Sequence, residues 1–210
     1  TINLNYVGMK GLSNGIFKKS DQFGRGTKIV NVIDIYQDDF LVRVEQLNRV
    51  EVNEKESATY EVLDGDIFFV RSSLKLEGTG VSACIPLRTE PMVFECHIVR
   101  FRPNTQKVLP KFLINYLNSS LIRHRFIALA KTVTMSTISQ SEISSIKVIL
   151  PSIEEQQSIV ILIEKEYSRV KNSIHKIQNQ IKLLQEYRTT LISEAVTGKI
   201  DVRDEKVPLS

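Results

Sequence analysis

One apolar repeat near the C-terminus constrains the fold of this chain more than any other feature of its sequence. Apolar side chains recur at alternating steps of four and three residues, and the series resumes after a break at Arg188. The repeat consists of Ile163, Tyr167, Val170, Ile174, Ile177, Ile181, Leu184 and Leu191. This is the heptad spacing of a helix that pairs with another helix. We call these residues the seam, and they predict one long coiled-coil-forming α-helix.

Local signals mark both ends of this helix. Ser152, followed by Glu155 three residues later, matches a capping box, which is typical of a helix start. Gly198 marks the other end, because a glycine in the left-handed conformation commonly terminates a helix. A helix of about 42 residues is about 63 Å long, whereas a domain of about 150 residues is roughly 30–40 Å across. The rest of the chain therefore cannot cover the seam, which requires another helix.

The segment 1–150 has a different pattern, with short β-branched and aromatic runs between turn residues. Such runs predict strands at Lys28–Tyr36, Asp66–Arg71, Val81–Ile85, His97–Phe101 and Ile146–Leu150. Three signals predict helices in this segment. Pro110 begins one helix, and Ser119 or Ser120 caps a second one that ends at Lys131. The capping box of Ser139 and Glu142 begins a short third one. We therefore predict an α+β fold, with a mixed α/β domain at 1–150, the long helix at 151–199 and a tail at 200–210.

Charge is distributed unevenly along the chain. Residues 1–70 carry 8 basic and 11 acidic side chains, a net charge of −3, whereas residues 71–150 carry 11 basic and 4 acidic ones, a net charge of +7. No Asp or Glu occurs between Cys96 and Ser141. A one-sided stretch of this kind favours phosphate backbones as partners. A solvated basic face is the alternative interpretation, and charge sign alone does not distinguish DNA from RNA or from an acidic protein.

Two polar segments within this positive region have the composition of ligand-contacting loops. Ser72–Gly80 combines hydroxyl groups, Lys75 and two glycines, and glycine lets a backbone approach a ligand closely. Lys131–Thr137 is a second hydroxyl-rich segment. Hydroxyl and ammonium groups suit contacts to phosphates or base edges. A plain connection between two strands explains the glycines equally well.

Several chemical functions lack their sequence motifs. Cys84 and Cys96 form no CxxC and join no histidine cluster, so we expect reduced cysteines and no metal site. The segment Ser72–Gly80 lacks the ending of a P-loop, and no HEXXH or methyltransferase NPPY or DPPY motif occurs. We therefore predict no catalytic, cofactor-binding or metal-ligating residues. No apolar run has the length of a membrane helix, and Thr1–Lys10 does not have the pattern of a secretion signal, so we expect a cytoplasmic protein without a membrane partner.

Two segments of the long helix resemble the specificity subunits of type I restriction–modification enzymes. Pro151–Gln156, with the sequence PSIEEQ, is similar to the P-P-L-x-E-Q start of the long spacer helix in that family, and Leu184–Arg203 resembles the end of the same helix. Gly65-Asp66-Ile67 and Ile149–Pro151 are similar to junctions in that family's target-recognition domains. The resemblance implies a globular domain that binds one half of a split target in double-stranded DNA.

The resemblance also implies the partners of the chain. The long helix is expected to dock methyltransferase subunits and, through them, restriction subunits. S-adenosylmethionine, ATP and Mg are then expected on those partners, with no cofactor and no catalytic residue on this chain.

The chain departs from the family pattern in one respect. Members usually carry two recognition domains and two long helices, whereas this sequence has one of each. The unpaired seam favours a homodimer with antiparallel helices, because two copies would bury both seams and restore the two-domain layout. A fragment of a longer subunit is the other interpretation.

The resemblance makes the two polar segments candidate DNA contacts. The candidates are Arg71, Ser72, Ser73, Lys75, Thr79, Lys131, Thr132, Thr134 and Ser136, with Lys18, Lys19 and Arg25 as a second basic face. Two other hypotheses are an adaptor whose globular part binds a protein and whose helix dimerises, and a chain that is itself a methyltransferase or nuclease. A steep loss of duplex affinity with salt distinguishes DNA contacts from the adaptor.

Overall fold

The computed structural model describes residues 1–132, 134–201 and 203. It has a mixed α+β fold with one long C-terminal helix, which confirms the fold class predicted from the sequence. The strands are β1 (Ile2–Asn3), β2 (Ser13–Asn14), β3 (Phe23–Val30), β4 (Arg49–Val50), β5 (Ile67–Val70), β6 (Ser72–Ser73), β7 (Ser82–Cys84), β8 (Met92–Phe94), β9 (Ile98–Phe101), β10 (Lys131–Thr132), β11 (Ser136–Thr137) and β12 (Lys147–Val148). The helices are α1 (Val32–Ile35), α2 (Glu54–Thr59), α3 (Pro110–Leu117), α4 (Ser120–Leu129), α5 (Gln140–Ser145) and α6 (Ile153–Val196).

The chain divides into two compact units. The first, Thr1–Val160, is called the head below, and the second is Ile161–Ser210. The head therefore includes the beginning of α6. Most of the tail predicted at 200–210 lies outside the described residues.

The four-stranded antiparallel sheet β2-β9-β5-β7 organises the head, and its strand β5 is buried on both faces. Successive side chains of a strand point to opposite faces. Ile67 and Phe69 accordingly join a core that includes residues of α3 and α4. Phe68 and Val70 join a second core that includes residues of α1 and β8. The continuous apolar run of β5 thus follows from burial on two sides.

Smaller sheets flank this one. β3 pairs antiparallel with β4 and parallel with β8. β1 pairs antiparallel with β12, so that the beginning of the chain joins the segment that precedes α6. The third small sheet has the order β10-β11-β6.

One predicted strand is wrong over its second half. The strand expected at Lys28–Tyr36 ends at Val30 as part of β3, and α1 occupies Val32–Ile35. Asn31 explains the change, because its backbone N–H donates to the Asp34 carboxylate at 2.8 Å and its carbonyl accepts from the Asp34 N–H at 3.1 Å. These local bonds turn the chain into a helical turn in spite of its β-branched composition.

The long helix α6 begins and ends where the local signals indicate. The Ser152 N–H donates to the Glu155 carboxylate at 2.8 Å, and the Glu155 N–H donates to the Ser152 hydroxyl at 3.2 Å, which is the predicted capping box. Gly198 has a φ of +70°, the left-handed conformation expected at its position. None of the described helices, α6 included, has an apolar stretch that would let it cross a membrane.

Gln156 attaches the first turns of α6 to the rest of the head. Its side chain is fully buried. Its Oε1 accepts from the Leu109 N–H at 2.8 Å, while its Nε2 donates to the carbonyls of Lys107 at 3.1 Å and Pro151 at 3.0 Å. Both N–H groups and one of the two Oε1 lone pairs of this amide are therefore used. A buried amide with these bonds fixes the backbone around it.

We predict that Gln156→Ala lowers the free energy of unfolding of the head by about 1–3 kcal/mol, because it leaves part-buried backbone groups without partners. Urea unfolding followed by circular dichroism measures this change. The matched control is Gln157→Ala, since Gln157 lies next to it on the exposed side of α6. Equal effects of the two substitutions would contradict the assigned role of Gln156.

Candidate nucleic-acid interface

The sheet β10-β11-β6 joins two segments that lie far apart in the sequence. β6 pairs with β11 in the register Ser73↔Ser136, and β11 pairs with β10 in the register Lys131↔Thr137. The two polar segments that were predicted independently therefore form one surface. We call this surface, Arg71–Lys75 together with Lys131, Thr132 and 134–137, the candidate interface.

Several members of the candidate interface are accessible. Lys75, Lys131, Thr132 and Thr134 are exposed, and Arg71 and Ser72 are half-buried. The Lys131 side chain is 81% exposed although its Nζ lies 3.7 Å from a Glu142 oxygen. Arg71 directs one Nη1 bond to the Asn14 side chain at 3.4 Å. Their polar groups can therefore contact a second molecule.

Other candidates hold the surface together. Thr79 is fully buried, and its hydroxyl donates to the Ser136 carbonyl at 3.2 Å. The buried Ser136 hydroxyl lies 2.9 Å from that of Thr132. Ser73, which is also buried, accepts from the Lys75 N–H at 3.2 Å. The structure thus places the side chains of Ser73, Thr79 and Ser136 inside the head, where the bond from Thr79 joins the loop to the hairpin and the other two bonds lie within the loop and within the hairpin.

The loop after β6 is closely packed against the rest of the head. A Cβ at Gly78 would collide with the Ser73 hydroxyl and the Tyr36 phenolic hydroxyl. Gly80 has a φ of +70°, and a Cβ there would lie 2.7 Å from Phe126 Cγ. The two glycines therefore serve close packing of the loop, which is the plainer of the two explanations considered for them.

Arg123 of α4 supports this loop from inside, and sequence reasoning did not single it out. Its Nη2 donates to the carbonyls of Glu77 at 2.7 Å and Thr79 at 3.0 Å, and its guanidinium lies 5.8 Å from the centre of the Phe126 ring. Burial lowers the pKa of Arg123. The acid-free stretch between Cys96 and Ser141 contains it, but nothing local separates it from exposed basic residues.

The second basic face is largely paired with acids. The side chain of Lys18 is 6% exposed, and its Nζ lies 2.9 and 2.8 Å from the two carboxylate oxygens of Glu56. The hydrogen bond from Lys18 holds the pKa of Glu56 below its usual value. Arg25 is exposed but pairs with Glu51. Lys19 is exposed as well. The positive field expected from these three residues is therefore reduced.

Part of the positive stretch is likewise internal to the head. Arg102 makes two bonds of 2.7 and 2.8 Å to the fully buried Asp66, which raise the pKa of Arg102. Arg100 lies 5.0 Å from the centre of the Phe94 ring, and burial lowers its pKa. These arginines stabilise the sheet and leave less charge for a partner than the count of +7 indicates.

Among the described residues, Glu95, Cys96 and His97 bring three possible metal ligands within 4.8 Å of one another. Glu95 already accepts from the His97 N–H at 3.0 Å. Burial, and then the nearby Glu95 carboxylate, raises the pKa of the Cys96 thiol. Three neighbouring residues of one turn can lie this close together without an ion, so the cluster by itself assigns no metal site.

Comparison with known proteins defines the class to which this fold and surface belong. The family model described as "Type I restriction modification DNA specificity domain" matches residues 10–185. The chain belongs to this family, as its helix segments indicated.

Curated relatives and solved structures agree with the family. The chain is 24% identical over 191 residues to the type I restriction enzyme EcoKI specificity subunit of Escherichia coli (strain K12), covering 90% of this chain and 40% of that protein. It is 27% identical over 188 residues to the putative type I restriction enzyme MjaX specificity subunit of Methanocaldococcus jannaschii, covering 89% of this chain and 43% of that protein. The chain thus spans about two fifths of these relatives.

The fold itself has a counterpart among solved structures. A chain in a structure described as "Structural basis underlying complex assembly and conformational transition of the type I R-M system" has a TM-score of 0.68 and 15% identity. The match covers 92% of the present chain and 44% of that chain. At this identity the likeness shows a shared fold.

Proposed function

We propose that this chain is a non-catalytic specificity subunit that binds double-stranded DNA in a sequence-specific manner, one head to one half of a bipartite target. The observation that carries the proposal is the joining of β6 with the hairpin β10–β11 into one surface. A two-stranded β-ribbon fits the major groove of DNA, where all four base pairs can be distinguished. The curated relatives, which are named as specificity subunits, support the same function.

The accessible groups of the candidate interface suit the two tasks of such a protein, which are to contact phosphates and to contact bases. Lys75 and Lys131 are exposed cations that can contact phosphates and position the head. Thr132 and Thr134 are exposed as well, and their hydroxyls can exchange hydrogen bonds with phosphates or bases. We assign methylation and cleavage, with S-adenosylmethionine, ATP and Mg, to methyltransferase and restriction partners. We expect the assembled enzyme to be cytoplasmic.

We expect Lys75→Ala and Lys131→Ala each to weaken binding to every duplex and to reduce the slope of log affinity against log salt by about 0.9. Fluorescence anisotropy with a labelled duplex across a salt series measures both quantities. Lys55→Ala is the control, because Lys55 is an exposed lysine on α2, within the acidic first third of the chain. If both interface variants keep the wild-type affinity and slope, the DNA-binding surface lies elsewhere.

We further propose that two copies of the chain pair through α6. Every seam residue is exposed within one chain, from 36% at Ile163 to 66% at Leu184. Burying these side chains against a second copy removes apolar surface from water, which favours association. A homodimer also supplies a second head, which a bipartite target requires.

Arg188, which interrupts the seam, favours antiparallel helices. In a parallel pair in register, Arg188 would face the same residue of the other copy, and the like charges would repel within the seam. In an antiparallel pair centred between Ile174 and Ile177, Arg188 instead comes opposite Ile163 and Glu164 of the other copy. Tyr167 then comes opposite Leu184 and Val170 opposite Ile181, so the layers between these positions pair apolar residues with apolar residues.

Apolar residues outside the seam offer a separate surface for the methyltransferase subunits. They are exposed on the same helix at Ile161, Leu162, Leu183, Tyr187, Ile192 and Val196. Most of these positions stay uncovered when only the seam is paired, and exposed apolar surface of this kind is typical of protein interfaces. We therefore assign docking of the methyltransferase subunits, and through them of the restriction subunits, to these exposed apolar positions of α6 outside the seam.

The double change Ile174→Glu with Ile181→Glu should raise the dissociation constant of the dimer by more than about a hundredfold, because it would bury unpaired charges in the seam. Sedimentation velocity measures the oligomeric state, and circular dichroism checks that the head stays folded. Asn172→Glu with Asn179→Glu adds the same charges at the same spacing off the seam and should leave the dimer intact. A wild-type chain that is monomeric, or a seam variant that still dimerises, would overturn self-association through the seam.

A further inference from the structure

Leu74 is the most exposed leucine that the structure describes, and it lies within the candidate interface. Its side chain is 85% exposed, although it follows the buried Ser73 directly. Water is an unfavourable environment for a leucine side chain. A solvent-facing leucine in a mobile loop needs no explanation, but this loop is held in place.

Bonds on both sides of Leu74 fix its position. The Lys75 N–H donates to the Ser73 hydroxyl at 3.2 Å, and the Gly78 N–H donates to the Lys75 carbonyl at 3.0 Å. Arg123 holds the following carbonyls of Glu77 and Thr79. The backbone therefore presents Leu74 outward in one defined place, which is what recognition of a specific atom on a partner requires.

The surface around Leu74 is apolar, with polar and charged side chains at its edge. Leu74 lines a shallow pocket together with Val32, Tyr36, Val81 and Met135. The same pocket is lined by Lys75, Glu77 and His97, so one ammonium group and one carboxylate lie beside the apolar surface. Lys75 can contact a phosphate while the apolar surface faces the base edges of the major groove, where thymine alone presents a methyl group.

We propose that Leu74 is a specificity-determining residue that contacts the 5-methyl group of a thymine in the target half-site. The proposal rests on the proposed function, since it requires that the candidate interface enter the major groove. Leu74 would then discriminate between bases without contributing to the charge-dependent part of the affinity, which Lys75 and Lys131 supply.

The test combines a protein substitution with removal of the methyl group from DNA. The purified chain is used to select its preferred duplex from a random library, and each thymine of that duplex is replaced in turn by deoxyuridine. One such replacement should weaken wild-type binding about fourfold, the effect of one buried methyl group. Leu74→Ala should bind the unmodified duplex correspondingly less tightly, lose nothing further at that thymine and keep the wild-type salt slope.

Leu87→Ala is the matched control, because Leu87 is 78% exposed and follows the C-terminal end of β7, whereas Leu74 lies before that strand. It should respond to every deoxyuridine as the wild type does. The inference is overturned if no deoxyuridine affects wild-type binding, or if Leu74→Ala and wild type lose the same affinity at every thymine, as a protein-binding role for Leu74 would produce. A wild-type chain that prefers no duplex would instead overturn the proposed function, and the inference with it.

Discussion

The burial of strand β5 on both faces is the constraint on which the rest of the head depends. Ile67 and Phe69 require cover on one side and Phe68 and Val70 on the other, so helices and strands must lie on both faces of the sheet. β5 also continues through Arg71 into β6, the first strand of the candidate interface. The geometry of the proposed DNA-binding surface is therefore inherited from the packing of the central strand.

Hydrogen bonds from buried side chains then convert this packing into a defined surface. Thr79 joins the loop after β6 to the hairpin β10–β11, and Arg123 holds the same loop from α4. Gln156 performs the corresponding task where α6 joins the head. Thr79 and Gln156 are fully buried and Arg123 is half-buried, so these polar residues act by holding backbone segments in position. Exposed residues such as Lys75 and Leu74 are left to contact the partner.

Features encoded within a few residues could be predicted from the sequence. The capping box of Ser152 and Glu155 and the seam periodicity located α6, because helix caps and heptads are local signals. The two polar segments were identified, but their union was not, since the pairing of Ser73 with Ser136 depends on tertiary contacts. The same limit explains Lys18, whose burial against Glu56 no local pattern indicates. At α1, the Asn31–Asp34 bonds outweighed the β-branched composition.

We propose that one head contacts one half-site and that two copies pair through α6. The direct measurement is a map of methylated sites in DNA from cells that make this chain together with a methyltransferase subunit of the type I family. Two identical heads related by a two-fold axis predict an inverted repeat, with two equal half-sites separated by a constant gap of unread bases. Two unrelated half-sites, or methylation without any sequence preference, would contradict the account.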